Sequence, residues 1–416
     1  MTDDLLAGKQ GAETIALAFT DPLAVSIRLK LTAPNVHRGR GRWRMNTTLL
    51  NDESFQMKIW DSWEEWKQHI GRFPDIVQWW VHYMKQKVKS LFIQEGAERN
   101  ADWRRMEEFY YSAIYDVLQV PEPHTDKMLK LKRLKAKIVR LNSPYRQRVM
   151  VDTEEHDQIA GEYPFLHHLL KSWKRQENRL IRQIIDENEE THTTSASILR
   201  AFATHFQQAL QPIETKEQSV KQLTESGLQT ITSEMREALT QPISIEELWK
   251  AVSQGKHHKA RGIDGISLEF YKAEWDVIKT ELLQVVNNMF TNGPILARQV
   301  QGQIVCIPKK SQPDKIGDYR PLTLLNADHK ILARIIANRL KPLLQKIPNP
   351  HQHCRIPGTT VFDAVVTIRD TIAYAETKKV PLRAVSLDFQ SAFDKISHNY
   401  LQEILQTYSF GNLFVD

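Results

Sequence analysis

With only two cysteines in 416 residues, Cys306 and Cys354, the chain can hold neither a disulfide framework nor a cysteine-built zinc cluster. A reducing interior suits such a chain. No apolar run approaches the roughly 18 residues a membrane-spanning helix requires, so no membrane span is expected. No charged-then-apolar leader is visible, so no secretory signal is expected either. Internal repeats and low-complexity tracts are lacking too, and the sole Asp-Asp pair is Asp3-Asp4, outside any strand pattern. What is present is a hydrophobic fraction of 41% with ten tryptophans, enough for packed cores. The length predicts two or three folding units. A net charge of +6 and a pI near 9.0 permit a polyanionic partner without demanding one.

Near the end of the chain, Pro381-Leu382-Arg383-Ala384-Val385 runs into Ser386-Leu387-Asp388-Phe389-Gln390-Ser391-Ala392-Phe393-Asp394. The apolar run predicts a strand that carries Asp388 to its tip, with a helix starting just beyond. A strand-end carboxylate beside a basic surface suits Mg²⁺ and phosphoryl chemistry on nucleotides. The alternative is a solvated acid at a strand-to-helix turn, with Asp394 favouring a helix start.

Upstream the chain changes texture several times. Leu23, Val25, Ile27, Leu29 and Leu31 alternate with polar residues, which predicts a half-buried strand. With no other strand signal for a long way downstream, a missing sheet is expected. The loop His37-Arg38-Gly39-Arg40-Gly41-Arg42 follows. From residue 60 to 118, Trp60, Trp63, Trp66, Trp79, Trp80 and Trp103 recur at helical spacing, as helix-packing anchors or base-stacking platforms. Pro121 and Pro123 close that unit. Residues 127 to 148 hold nine lysines and arginines and no acid. Lys130, Lys132, Arg133, Lys135, Lys137 and Arg140 lie there on a basic amphipathic helix or an extended basic arm. Such a surface either grips phosphate backbones without reading sequence or is merely solvated. From Tyr163 to Lys250 the pattern is again helical, with polar loops at 186 to 195 and near 212 to 219.

A helix capped by Ser244, with acids in its first turn, is predicted next. It leads to the basic loop Gly255 to Gly265, whose tight turn uses Gly265 for a positive φ. A second helix runs through Phe270, Trp275, Leu282, Val286 and Phe290. Gln303 to Pro308 forms a short strand delivering Lys309-Lys310, and a turn from Pro313 to Gly317 leads to Asp318-Tyr319-Arg320-Pro321. A hairpin bringing lysine and arginine close together is a plausible grip on a triphosphate. Residues 304 to 355 carry ten basic residues against three acids.

In this order, Lys259-Ala260-Arg261-Gly262-Ile263-Asp264-Gly265, Ile307-Pro308-Lys309-Lys310, Tyr319-Arg320-Pro321-Leu322-Thr323-Leu324-Leu325-Asn326, Lys330-Ile331-Leu332-Ala333, Asn338-Arg339-Leu340, Gln352, Pro357-Gly358 and Leu387 to Asp394 resemble the reverse transcriptase of LINE-type, non-LTR retrotransposons. Thr20-Asp21-Pro22-Leu23-Ala24-Val25-Ser26-Ile27 resembles the last segment of that family's endonuclease. Trp43-Arg44-Met45-Asn46 resembles the connector that follows it.

The resemblance implies an α+β chain. Its parts are a remnant of the last strand of an endonuclease/exonuclease/phosphatase-like domain over 1–31, a mostly helical basic connector over 32–239, and the fingers and incomplete palm of a right-hand polymerase over 240–416. It implies that Asp388 is the first metal-binding aspartate, with the Phe389 carbonyl as a second ligand for Mg²⁺. Phe393 lies under the sugar of the incoming deoxynucleotide, and Lys309 and Arg320 hold its triphosphate. The implied partners are an RNA template, a DNA primer or target, and deoxynucleotide triphosphates. The implied residence is intracellular, in the nucleus or cytoplasm. The sequence also departs from the family. No aromatic-Ala-Asp-Asp hairpin follows Asp394, where the only acids are Glu403 and Asp416. Pro22 stands after Asp21 where the endonuclease has its histidine, and Cys354-Arg355 and Gly358-Thr359 replace Gly-Phe and Gly-Arg. The expectation is a truncated RNA-directed DNA polymerase that does not catalyse by itself. A non-enzymatic RNA- or DNA-binding protein is one alternative. The other is a chain without function whose apolar palm surface is exposed.

Overall fold

The computed structural model describes residues 9–15, 24–29, 41–119, 124–154, 181–211, 221, 230–291, 301–344, 347, 352–354, 356–388 and 395–415. Among them the chain is α+β, with long helices and three two-stranded antiparallel sheets. Two compact units form, one of residues 1–42 with 90–181 and one of residues 43–89 with 182–416. Residues 43–89 and 182–239, read from sequence as connector, therefore count with residues 240–416. No helix among the described residues is long and apolar enough to cross a membrane.

In the first unit, β1 (Lys9–Ile15) pairs with β2 (Ala24–Leu29), placing Ala12 opposite Ile27 and Thr14 opposite Val25. The strand foreseen over 23–31 thus has its partner upstream, which corrects the expectation of a strand without a sheet. Lys9-Gln10-Gly11-Ala12-Glu13-Thr14-Ile15 carries no apolar alternation, so the pattern that reveals β2 is silent for β1. Asp21 lies outside the described residues. The unit also contains most of α3 (Lys85–Gln119) and all of α4 (His124–Glu154), which lie on either side of Pro121 and Pro123 in the chain. Leu131 and Ile138, seven residues apart and two helical turns on, are buried against Ile114, with Tyr110, Tyr111 and Leu118 beside them. The basic segment is a helix rather than an extended arm.

The second unit is built around tryptophan. In α1 (Glu53–Lys67), capped by Asp52, Phe55, Ile59, Trp63 and Trp66 fall on one buried face. Trp79 and Trp80, from α2 (Ile76–Trp79) and the turn after it, are fully buried. The rings of Trp66, Trp79 and Trp80 lie 6.2, 6.0 and 6.1 Å from that of Trp63, all three edge-on to it. Each such contact adds about 1 kcal/mol beyond the area it buries. The indole N–H groups are largely satisfied. Trp63 donates to Glu281 at 3.2 Å, Trp79 to the Trp66 carbonyl at 3.2 Å, and Trp60 to Glu274 at 3.1 Å. Of the sequence's two readings for these rings, packing anchors is the one realised at Trp63, Trp66, Trp79 and Trp80. Trp60 is half-exposed.

Downstream, the segment read as helical with a polar loop at 186 to 195 has a small hairpin there, β3 (Ile184–Ile185) with β4 (Thr191–His192), before α5 (Ser195–Ala209). After α6 (Ser233–Thr240) comes α7 (Ile245–Ser253), with the expected Ser244 cap completed as a capping box by Glu247. The next predicted helix is divided into α8 (Leu268–Ala273) and α9 (Trp275–Thr291) at the buried Glu274. The strand Gln303–Pro308 (β5) pairs with β6 (Tyr319–Leu324), followed by α10 (Ala327–Leu340). Then come α11 (Val361–Lys378), α12 (His398–Thr407) and α13 (Asn412–Val415). On α11, Val361, Phe362, Val365 and Ile368 are exposed.

The strand predicted before Asp388 is not formed. Residues 381–388 make no ladder, and Val385 and Leu387 are 79% and 77% exposed. An apolar run becomes a strand only where another strand satisfies its backbone groups, and none of the described strands does so here. Phe389 to Asp394 lie outside the described residues, and the helix beyond them is capped by Ser397.

Candidate nucleotide and nucleic-acid site

The β5–β6 hairpin pairs Ile307 with Arg320 and Pro308 with Tyr319. Side chains in a strand alternate with a period of two, so Lys309 falls on the same face as Ile307 and hence as Arg320. Lys309 and Arg320 are both exposed. The two cations expected to act together are thus placed on one open face. The opposite face is anchored. Tyr319 is buried and meets Phe202 of α5 edge-on at 5.3 Å, and Ile316 in the turn is buried as well. Ile185 N–H donates to the Asp314 carbonyl at 2.8 Å, tying the tip of the hairpin to β3.

The turn itself is cross-braced by charge. Lys310 pairs with Asp314 and with Asp318, each at 2.9 Å. These hydrogen bonds, Asp314's first, hold the lysine above its ordinary range, and the bond from Lys310 holds the Asp318 carboxyl far below its own. Lys309 Nζ donates to the Gly317 carbonyl at 2.8 Å, which curls its ammonium over the turn. Lys310 is therefore occupied as a brace, while Lys309 and Arg320 supply the accessible charge.

Asp388 is exposed in the irregular stretch described above. Among the described residues no hydrogen bond or ion pair joins it to the hairpin, so its relation to Lys309 and Arg320 is not fixed by direct contact. Phe389 and Phe393 lie outside the described residues. On α4, Lys130, Lys132, Arg133, Lys137 and Arg140 are exposed and Lys135 is half-buried. Lys137 lies 5.7 Å from the centre of the Tyr110 ring. This helix presents a cationic face opposite its Leu131 and Ile138 seam.

Sequence reasoning missed the buried core beneath the basic loop. Lys85 forms ion pairs with Asp264 at 2.8 Å and Asp328 at 2.6 Å, and its side chain is 7% exposed. Burial alone would lower its pKa, but the charges of Asp328 and Asp264 outweigh burial and raise it. The Gly265 turn has φ +75° as expected, and Met45 N–H donates to the Gly265 carbonyl at 3.0 Å. Residues 43–45 thus lie directly on the turn. Lys85 was hidden because nothing in a lysine within a helical pattern announces partners 179 and 243 residues later.

Residues 307–414 match the family described as reverse transcriptase, the RNA-dependent DNA polymerases. The chain is 29% identical, over 99% of its own length and 31% of the relative's, to the transposon TX1 uncharacterized 149 kDa protein of Xenopus laevis. It is 28% identical, over 56% of its length and 26% of the relative's, to the probable RNA-directed DNA polymerase from transposon BS of Drosophila melanogaster. To the RNA-directed DNA polymerase from mobile element jockey of Drosophila funebris it is 26% identical over 49% of its length and 22% of the relative's. Over residues 307–414 the chain is thus similar to reverse transcriptases, and the relatives named here are proteins of transposons and mobile elements. The chain spans about a third or less of the length of these relatives.

Proposed function

We propose that the chain is the fingers and first palm portion of an RNA-directed DNA polymerase, and that its β5–β6 hairpin receives the triphosphate of an incoming deoxynucleotide. The observation that carries this reading is the common exposed face of Lys309 and Arg320, on a hairpin held from behind by Tyr319 and Ile185. The guanidinium of Arg320 binds phosphate oxygens as a fork and Lys309 as a point charge. The Lys310 brace keeps the turn from collapsing onto either group.

Asp388 and the Phe389 carbonyl offer oxygen ligands of the kind Mg²⁺ prefers, and the exposed Asp388 carboxylate makes no hydrogen bond among the described residues that would compete. A bound Mg²⁺ would supply activation of the primer hydroxyl and neutralisation of the departing pyrophosphate. Phe393 excludes a 2′-hydroxyl by its bulk and so selects deoxynucleotides. The exposed cations of α4 hold the nucleic-acid strand by its phosphates. The region around Asp21 derives from an endonuclease. With Asp388 as the single palm carboxylate, these 416 residues bind nucleotide and nucleic acid but do not extend a primer alone.

The test is photocrosslinking of radiolabelled dTTP to the purified chain, with Arg320→Ala and Lys309→Ala beside it. Each substitution should weaken binding roughly tenfold, the worth of a charge-assisted hydrogen bond. Labelling that survives both substitutions unchanged refutes the hairpin assignment. Primer extension on an RNA template by the wild-type chain, lost in Asp388→Ala, would overturn the expectation of inactivity.

A second reading is favoured by α4 specifically: an RNA- or DNA-binding protein without catalysis. Its signature is affinity that falls with salt by a log-log slope of about −0.7 for each single-strand phosphate contact. Affinity that ignores both salt and replacement of Lys132, Arg133 and Lys137 by glutamine excludes it.

A further inference from the structure

Between the basic loop and the first turns of α10 lies a cavity of about 220 Å³. Its wall includes Lys256, Lys259, Arg261, Lys330 and Arg334, with Glu269 as the one acid. Five cations and one carboxylate line this partly open hollow, Lys256 and Lys259 at its exposed side, and such an excess of one sign favours an anion as ligand. Part of that charge is already committed to shaping the wall. Lys330 Nζ donates to the Ala260 carbonyl at 3.1 Å, Arg334 to the Ala251 carbonyl at 2.6 Å, and the Glu269 carboxylate accepts from His258 N–H at 2.6 Å.

Arg261 is different. Its Nε is buried and has no hydrogen-bond partner, although a buried guanidinium N–H is among the groups that most require one. Burial lowers the pKa of this side chain, and Arg44 adds to that, while the charge of Glu269 works in the opposite direction without cancelling them. For Lys330, burial lowers the pKa, the charge of Asp264 opposes it, and Arg334 adds to the lowering. The lining holds more cations than acids, and the Arg261 Nε donor is unsatisfied. Gly262 brings the loop so close to Asn326 that a β-carbon would overlap the Asn326 backbone, so the hollow is held at a fixed width by the start of α10.

We propose that this cavity is a phosphate-binding subsite, with Arg261 and Lys259 as its principal ligands. The proposal deepens the polymerase reading and rests on it for the source of the phosphate, either the backbone of a nucleic-acid strand or the tail of a free nucleotide. It is separate from the hairpin, which carries its own two cations.

The experiment uses the whole 416-residue chain, a fluorescein-labelled single-stranded RNA followed by anisotropy, and dTTP as competitor. Lys259→Gln with Arg261→Gln should weaken RNA binding roughly tenfold and reduce the magnitude of the log-log salt slope by about 0.7 for each phosphate no longer gripped. If the pair of substitutions weakens only dTTP, the phosphate comes from the free nucleotide and the subsite stands. If Arg320→Ala leaves dTTP binding intact while the cavity pair weakens it, the hairpin reading fails and the cavity survives. The wild-type chain gives a check that needs no folded variant. Inorganic pyrophosphate should slow acetylation of Lys259 relative to the remote Lys279, read by mass spectrometry. Equal acetylation with and without pyrophosphate, or RNA and dTTP binding that the two substitutions leave unchanged or that the wild-type chain lacks, overturns the proposal.

Discussion

Replacing Lys85 by methionine isolates the ionic link beneath the basic loop. Methionine keeps most of the buried stem but removes the ammonium that neutralises Asp264 and Asp328, 2.8 and 2.6 Å away. Asp328 is fully buried and Asp264 is 12% exposed, so water replaces little of what is lost. Breaking a buried pair from one side costs about 3–5 kcal/mol, because an uncompensated charge stays behind. Two carboxylates share this one cation, which places the expectation at the upper end of that range. Urea unfolding followed by tryptophan fluorescence is the assay, since Trp63, Trp79 and Trp80 are buried in the same unit and report its opening. Adding Asp328→Asn to Lys85→Met should recover part of the loss, because one stranded charge is removed. A Lys85→Met variant within about 1 kcal/mol of wild type would refute the reasoning, since it would mean that water or movement relieves the carboxylates at no real cost.

Three further outcomes follow from the geometry. The Glu274 carboxyl is pushed up to about 7 by burial, against the opposing hydrogen bond from Trp60. Its folded pKa lies above its unfolded one, so stability should fall as pH rises from about 4.5 to about 7 and then level off, by about 3 kcal/mol at most; Glu274→Gln should flatten that slope in urea titrations. Arg339 makes a two-pronged pair with Glu247 at 2.9 and 2.8 Å and donates to the carbonyls of Leu239, Gln241 and Pro242, so Arg339→Lys should cost about 2 kcal/mol in the same assay despite keeping the charge. Asp388→Ala, on an exposed side chain, should change stability by less than about 0.5 kcal/mol, so that any loss of nucleotide chemistry in this variant is attributable to the carboxylate.

The parts of this molecule that were legible in advance are those encoded locally. The capping box at Ser244, the positive φ of Gly265 and the ends of β5 each depend on a few consecutive residues. What escaped depends on partners far away. β1 carries no alternation, yet it pairs with β2. The run before Asp388 has strand composition and forms no ladder, because a strand is a property of two segments rather than one. The cations around the cavity could be counted from the sequence, but their convergence on one hollow could not. Lys256, Lys259 and Arg261 sit on a loop, whereas Lys330 and Arg334 come from a helix about seventy residues on.

The same dependence on distant partners explains why segments outside the polymerase-like blocks matter to them. The hairpin bearing Lys309 and Arg320 has little apolar packing of its own, with Ile304, Ile307 and Leu322 exposed. An isolated two-stranded hairpin is marginal in water. Its tip is fixed instead by Ile185, and Tyr319 is seated on Phe202, both from residues that precede every block of the family pattern. The basic loop is likewise held by Met45 from one side, while Lys85 reaches Asp264 and Asp328 beneath it. The cations that would meet phosphate thus stand on elements whose rigidity is supplied from 43–89 and 182–209. Cutting the chain at residue 240 would keep every motif and remove these supports, so the motifs alone do not define the smallest part of the chain that can hold a nucleotide.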